Sequence, residues 1–132
     1  VKEANGDISA FAKTVALCKD NLNYYSGNDD QITAFMALGA IGVISVLSNV
    51  APKVTHDIVQ FALDGNIKAS KELQLEYLDI CNALFCDVNP IPVKVAMRMM
   101  GFDVGPLRMP LCEMEDAKTA KLESILKKYE LI

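Results

Sequence analysis

The chain has 132 residues, of which 52% are hydrophobic and 23% charged, and its 17 acidic and 13 basic residues leave a net charge of −4. This is the composition of a globular domain, and the acidic balance argues against nucleic-acid binding, which needs clustered basic residues. No apolar run reaches the roughly 18 residues of a membrane span, and no signal peptide is visible.

Three short apolar strands are predicted in the first half of the chain, and they end near Lys2, Tyr25 and Val46. The last of them, over residues 42–46, is rich in β-branched side chains, which predicts a strand buried on both faces. The strand ends recur about every twenty residues, which is typical of compact barrels built from alternating strands and helices. In such barrels ligands bind at the C-terminal ends of the strands, where the loops after Lys2, Tyr25 and Val46 lie.

Two helices are predicted between these strands. Asp7 can cap the first, whose apolar residues repeat at helical spacing, and Asp30 can cap the second, which ends at Gly39. A third helix starts near Pro52, since proline suits the first helical turn, and stops at residues 65–66.

From residue 67 onward the pattern predicts helices only, over 67–85, over 92–101 and over 113–131. We therefore predict two domains: residues 1–66 form barrel units, and residues 67–132 form a helical domain. No low-complexity linker separates them, so we expect the two parts to pack together.

Four cysteines and one histidine are the only residues typical of zinc sites, and they are scattered along the chain. Cys18, Cys81, Cys86 and Cys112 show no paired CxxC spacing, so no metal site is predicted. Free thiols in a reducing cytoplasm are favoured over disulfides. No glycine-rich phosphate loop or nucleotide-binding motif is present, and no cofactor is predicted.

Five segments follow one another in an order and spacing that is hard to obtain by chance: KEANGD (2–7), YSGNDD (25–30), GVISVLSNV (42–50), NPIPVK (89–94) and GPLRMPL (105–111). They resemble the C-terminal half of the dihydrodipicolinate synthases, a family of pyruvate-dependent class I aldolases that also includes N-acetylneuraminate lyase. The resemblance covers essentially the whole chain. It implies an α/β fold, namely the C-terminal part of a (β/α)8 barrel followed by a helical extension.

A complete barrel of this type needs roughly 250 residues, so the chain is predicted to be a part of a longer protein. A complete small α/β domain is the alternative. The missing partner would be the complementary N-terminal half of the barrel, and the resemblance implies a homo-oligomeric parent enzyme, either a tetramer or a dimer.

The resemblance implies that Lys2 forms a Schiff base with pyruvate. Burial at a strand end disfavours the charged ammonium form and so supplies an amine nucleophile. The iminium then withdraws electrons, so that the pyruvate methyl group loses a proton and attacks an aldehyde. Without the resemblance, Lys2 is interpreted as a solvated lysine.

The resemblance also places Gly27 beside the bound pyruvate and the backbone carbonyl of Ile44 near its carboxylate. Gly27 lacks a Cβ and so lets backbone approach a small ligand closely. Ser45 and Asn49 are polar residues near the same edge and are candidates for lining the pocket. For the two aspartates of the YSGNDD segment, Asp29 and Asp30, a helix-capping role is at least as well supported as a catalytic one.

The resemblance implies that the function is condensation of pyruvate with L-aspartate 4-semialdehyde through a lysine Schiff base, on the route to lysine through diaminopimelate. The alternatives are a sister pyruvate aldolase such as N-acetylneuraminate lyase, or a catalytically inert fragment. The isolated chain is expected to be inactive, because its tyrosines offer no convincing proton relay and the groups that hold the second substrate lie in the other half.

Overall fold

A computed structural model describes all 132 residues and shows a mostly helical chain around a small parallel sheet. The two strands are β1, Lys2–Glu3, and β2, Tyr25–Ser26. The seven helices are α1 Ile8–Cys18, α2 Ile32–Ala37, α3 Pro52–Leu63, α4 Ile67–Glu76, α5 Leu78–Ala83, α6 Ile91–Met99 and α7 Asp116–Lys128. Three 3-10 turns cover Lys19–Asn21, Asp29–Gln31 and Leu47–Asn49.

The strands are parallel, as predicted, and Lys2 lies opposite Tyr25 while Glu3 lies opposite Ser26. The third predicted strand is shorter than expected, since only a single parallel bridge joins Val43 to Ser26. The prediction that this segment is buried on both faces is wrong, because Ile44 is 50% exposed. The physical reason is that no further strand of the chain lies beyond it, so the segment has one sheet neighbour instead of two.

Local sequence signals account for several helix ends. The carboxylate of Asp7 accepts a hydrogen bond from the backbone N–H of Ala10 at 3.0 Å, so the predicted cap of α1 is confirmed. The predicted cap of α2 is wrong. Asp30 is exposed and its side chain caps nothing, while Gln31 precedes the helix without a side-chain hydrogen bond.

The long helix predicted over 67–85 is divided at Tyr77 into α4 and α5. The last helix starts at Asp116 rather than at Glu113, which instead pairs with Arg98. Helix α6 ends at Met99, before Gly101, whose φ of 90° favours glycine at a helix end.

Buried apolar side chains form two cores. The smaller core holds seven residues from the first half of the chain: Phe11, Tyr24, Ile32, Phe35, Met36, Ala40 and Ile58. Within it, the rings of Phe11 and Phe35 stack with their centroids 4.1 Å apart. The larger core holds fourteen residues: Leu47, Val50, Ala51, Ile80, Cys81, Ala83, Leu84, Ile91, Val93, Val95, Ala96, Met114, Leu122 and Leu126.

Helix α4 packs against α2 and α3, although it follows the predicted domain boundary near residue 66. The hydroxyl of Ser70 donates to the carbonyl of Ile58 at 2.8 Å, so a polar contact crosses that boundary. The two parts therefore pack together as expected, and the division into domains at this residue stays a prediction.

None of the helices combines the length and the apolar character that crossing a membrane requires. The four cysteines are free, and no three metal-ligating side chains cluster in the chain.

Candidate functional site

Parallel pairing brings the ends of the three strand segments to one edge of the sheet. The backbone N–H of Gly27 donates to the carbonyl of Glu3 at 2.7 Å, and the N–H of Ile44 donates to the carbonyl of Ser26 at 2.8 Å. An ideal Cβ built on Gly27 would lie 2.9 Å from the Cε of Lys2. The structure therefore places Gly27 directly against the side chain of Lys2. The segment that contains Ile44 lies beside β2, on the side away from β1.

The glycine at position 27 is required by the sheet itself. Its added Cβ would also lie 2.5 Å from the Cβ of Ala4 and 2.9 Å from the carbonyl oxygen of Glu3, distances that Cβ atoms do not adopt. From the sequence, this glycine was predicted to allow close approach of a ligand, with a strand-to-helix turn as the alternative. The close approach that the structure shows is to the β1 segment, and contact with a ligand stays a prediction.

The edge formed by Lys2, Gly27 and Ile44 is open. Lys2 is exposed, Ile44 is half exposed, and none of these three residues lines a cavity of the chain. The burial that the predicted role of Lys2 would require is not provided by residues 1–132. A closed pocket at this edge needs walls from additional polypeptide.

Ser45 and Asn49, predicted as possible pocket-lining residues, hydrogen-bond within their own turn. The hydroxyl of Ser45 accepts from the N–H of Ser48 at 2.8 Å, and the amide of Asn49 donates to the carbonyl of Val46 at 3.0 Å. Both side chains thereby shape the loop that follows Ile44. A contact of either with a ligand stays a prediction.

Asp29 is a site residue whose role the sequence analysis missed. It is only 2% exposed, and one carboxylate oxygen, Oδ2, accepts hydrogen bonds from the backbone N–H groups of Val46 and Leu47, both at 2.9 Å. It therefore caps the 3-10 turn after the third strand segment rather than the helix that follows it in sequence. The other oxygen, Oδ1, has no hydrogen-bond partner.

A cavity of about 270 Å³ lies between the Asp29 loop and helix α5. Asp29, Asp30, Asn82 and Cys81 are among its lining residues. Burial raises the pKa of the Cys81 thiol to about 12, and the negative charges of Asp29 and Asp30 add to this effect. Cys81 is thus a neutral thiol at the place where helix α5 meets the loop of Asp29 and Asp30.

Helix α4 reaches the same loop through Gln74, a second residue that the sequence did not reveal. Its amide oxygen accepts from the N–H of Thr33 at 2.7 Å, and its amide nitrogen donates to the carbonyl of Asp30 at 2.6 Å. Gln74 is 8% exposed. The only signal in the sequence is that a polar residue, Gln74, lies on the buried face of α4.

The fold and this edge define a class of protein. Parallel strands alternate with helices, their C-terminal ends carry a lysine beside a glycine, and helices follow, as in one part of a (β/α)8 barrel with a helical extension. A family model described as the dihydrodipicolinate synthetase family matches residues 1–129, and the chain belongs to this family.

Comparisons with individual proteins agree. The chain is 54% identical over 132 residues to the 4-hydroxy-tetrahydrodipicolinate synthase of Lachnoclostridium phytofermentans, covering 100% of this chain and 45% of that protein. The solved structure of dihydrodipicolinate synthase from Aquifex aeolicus matches with a TM-score of 0.95 and 36% identity, over 98% of this chain and 44% of that one.

A structure of the Acinetobacter baumannii dihydrodipicolinate synthase complexed with pyruvate matches with a TM-score of 0.93 and 34% identity, over 99% of this chain and 45% of that one. The chain thus spans a little under half the length of the proteins it matches. These matches confirm the predicted resemblance and the predicted fold class, a barrel segment followed by helices.

Proposed function

We propose that this chain, as part of a complete barrel, condenses pyruvate with L-aspartate 4-semialdehyde through a Schiff base on Lys2, on the route to lysine. The observation that carries the proposal is the contact of Lys2 with Gly27 at the C-terminal edge of a parallel sheet, in a member of this family. The Acinetobacter relative is described in complex with pyruvate, which supports the same first substrate here.

Each residue has a separate part in this proposal. The amine of Lys2 attacks the ketone of pyruvate, water leaves, and the resulting iminium accepts electrons when the methyl group loses a proton. Gly27 leaves room beside the lysine, and the carbonyl of Ile44 would lie near the carboxylate of pyruvate, as the family resemblance implies. No cofactor takes part in this chemistry.

We also propose that residues 1–132 alone do not turn over substrate, because Lys2 is exposed and no cavity encloses it. A complementary barrel half would close the site and bury the lysine. Assembly of the complete protein into a homo-oligomer and a cytoplasmic location both stay predictions.

Trapping with borohydride tests the assignment of Lys2. Residues 1–132 replace the matching part of the Lachnoclostridium synthase, and this chimera is incubated with pyruvate, reduced and mapped by mass spectrometry. We expect the adduct on Lys2, and we expect Lys2→Arg to abolish it and to lower kcat by roughly 10³-fold or more, since a guanidinium is no nucleophile.

Lys68→Arg is the matched control, because Lys68 is exposed on α4 and is only loosely paired with Glu72 at 3.9 Å. This variant should keep both the adduct and the activity. An adduct on Lys68 or Lys94 with none on Lys2 would contradict the assignment.

A further inference from the structure

The buried side chain of Gln74 joins helix α4 to the loop that follows β2. Both polar atoms of the Gln74 side chain are used, one on the N–H of Thr33 and one on the carbonyl of Asp30. These two backbone groups lie on either side of the turn that leads from the loop into α2. A single side chain of α4 therefore bonds to the backbone on both sides of this turn.

Further hydrogen bonds link the turn at Asp29 and Asp30 to the backbone that follows the third strand segment. Asp29, next to Asp30, accepts the N–H groups of Val46 and Leu47 through one oxygen. Gly27 lies two residues before Asp29, and Ile44 lies two residues before Val46. Hydrogen bonds thus run from α4 through the Asp29–Asp30 turn to the backbone just after Ile44.

We propose that Gln74 is a positioning residue, which holds the Gly27 loop against the Ile44 segment and so sets the pyruvate end of the site from the helical region. This inference rests on the proposed function. Gln74 does not act on substrate itself. It acts through the Asp29–Asp30 turn, where a displacement would shift Gly27 relative to Lys2.

A variant whose side chain has nearly the shape of glutamine separates the effect of the Gln74 hydrogen bonds from the effect of its packing. Gln74→Met keeps the length of the side chain but removes the hydrogen bonds to Thr33 and Asp30, whose buried backbone groups are then left without these partners. Ser70→Ala is the matched control, because Ser70 is also fully buried, lies one turn earlier on α4 and hydrogen-bonds to the carbonyl of Ile58. Its hydroxyl meets only the side chain of Thr33 near the loop, not the loop backbone.

The first measurement is amide hydrogen exchange on the chimera, which does not depend on activity. We expect Gln74→Met to speed exchange by roughly tenfold over residues 28–33 and 46–47, since local opening follows the loss of buried hydrogen bonds. Ser70→Ala should leave residues 46–47 unchanged. Equal exchange over 46–47 in wild type and Gln74→Met would overturn the inference.

The second measurement is the kinetics with pyruvate. We expect Gln74→Met to raise the KM for pyruvate by about five- to tenfold while kcat changes less than about threefold, because the nucleophile remains and only its surroundings move. Ser70→Ala should lower the thermal midpoint without this rise in KM. If both variants raise KM equally, the effect is general destabilisation and the inference is wrong.

The two proposals fail in different ways. If the wild-type chimera forms no pyruvate adduct, the proposed function is wrong, and the exchange data alone decide whether Gln74 holds the loop. If the adduct forms and Gln74→Met leaves exchange and KM unchanged, the function stands and the positioning role is overturned.

Discussion

The strand region, residues 1–66, and the helical region, residues 67–132, differ in how far each is closed by its own residues. All but three of the fourteen residues in the larger core come from the helical region, while the strand region alone supplies the smaller core of seven. At the sheet edge, Ile41 and Ile44 stay 43% and 50% exposed. Apolar side chains are exposed in the helical region too, with Phe85 at 47% and Phe102 at 53%, so the two regions differ in that the strands lack sheet neighbours.

The difference follows from where each element makes its hydrogen bonds. A helix satisfies its backbone within itself and needs only one apolar stripe to be covered. A strand of a parallel sheet needs a neighbour on both sides and helices on both faces. The helices of residues 67–132 therefore satisfy their own backbone groups, whereas the strand region has an open edge at the proposed site.

The largest expected effect concerns Cys81, where helix α5 of the helical region meets the Asp29 loop of the strand region. Cys81 is buried with a pKa raised to about 12, whereas Cys112 is exposed. Because the thiolate is the reactive form, we expect iodoacetamide at pH 8 to modify Cys81 roughly 10³-fold more slowly than Cys112 in the chimera. Peptide mapping by mass spectrometry measures both rates in one sample. Similar rates would show that α5 does not stay docked on the Asp29 loop.

A smaller effect is expected within the sheet. Gly27→Ala places a Cβ at 2.5 Å from that of Ala4 and 2.9 Å from the carbonyl oxygen of Glu3, so β1 and β2 must move apart. We expect a loss of about 2–3 kcal/mol in the free energy of unfolding, together with weaker pyruvate binding, because Lys2 is displaced as well. Urea unfolding and pyruvate titration of the chimera measure the two effects.

Gly42→Ala is the matched control for this change. Gly42 lies in the same sheet, and its added Cβ meets only the ring of Tyr25, at 3.3 Å, which a small ring shift relieves. The control should lose less than about 1 kcal/mol. Equal losses for the two variants would mean that contact with β1 does not explain the glycine at position 27.

The smallest effect concerns acid stability of the helical region. The hydrogen bond from Arg98 lowers the pKa of Glu113 below its ordinary value of 4.5, and the hydrogen bond from Lys118 lowers the pKa of Asp87 below 3.8. Both carboxylates have a lower pKa in the folded state, so they stabilise the fold above these ordinary values. This stabilisation is lost as the pH falls through the folded-state pKa.

Thermal unfolding of the chimera from pH 6 down to pH 3 measures this loss. We expect the double variant Asp87→Asn and Glu113→Gln to have a flatter pH dependence than wild type over the acid end of this range. Asp20→Asn is the control, because Asp20 is exposed and forms no ion pair in the chain. If the thermal midpoint of the double variant depends on pH as steeply as that of wild type, these ion pairs do not cause the pH dependence.

Much of the fold could be predicted from the sequence because its signals are local. Helix periodicity predicted α1 and α3, and Pro92 and Gly101 marked the approximate ends of α6. The Asp7 cap lies three residues from the N–H whose hydrogen bond it accepts. The five family segments identified the barrel and placed Lys2 and Gly27 at one edge. These predictions needed only the spacing of neighbouring residues and the order of segments.

Tertiary structure alone decided which polar groups meet. Asp29 resembles a cap for the next helix, yet it bonds to backbone 17 positions later, and Gln74 bonds to Thr33 across 41 positions. Periodicity does not report such distances. The exposure of Ile44 likewise depends on a missing sheet neighbour. Sequence determined the elements and the candidate lysine, whereas the support of the site arises from contacts that exist only once strands and helices are packed.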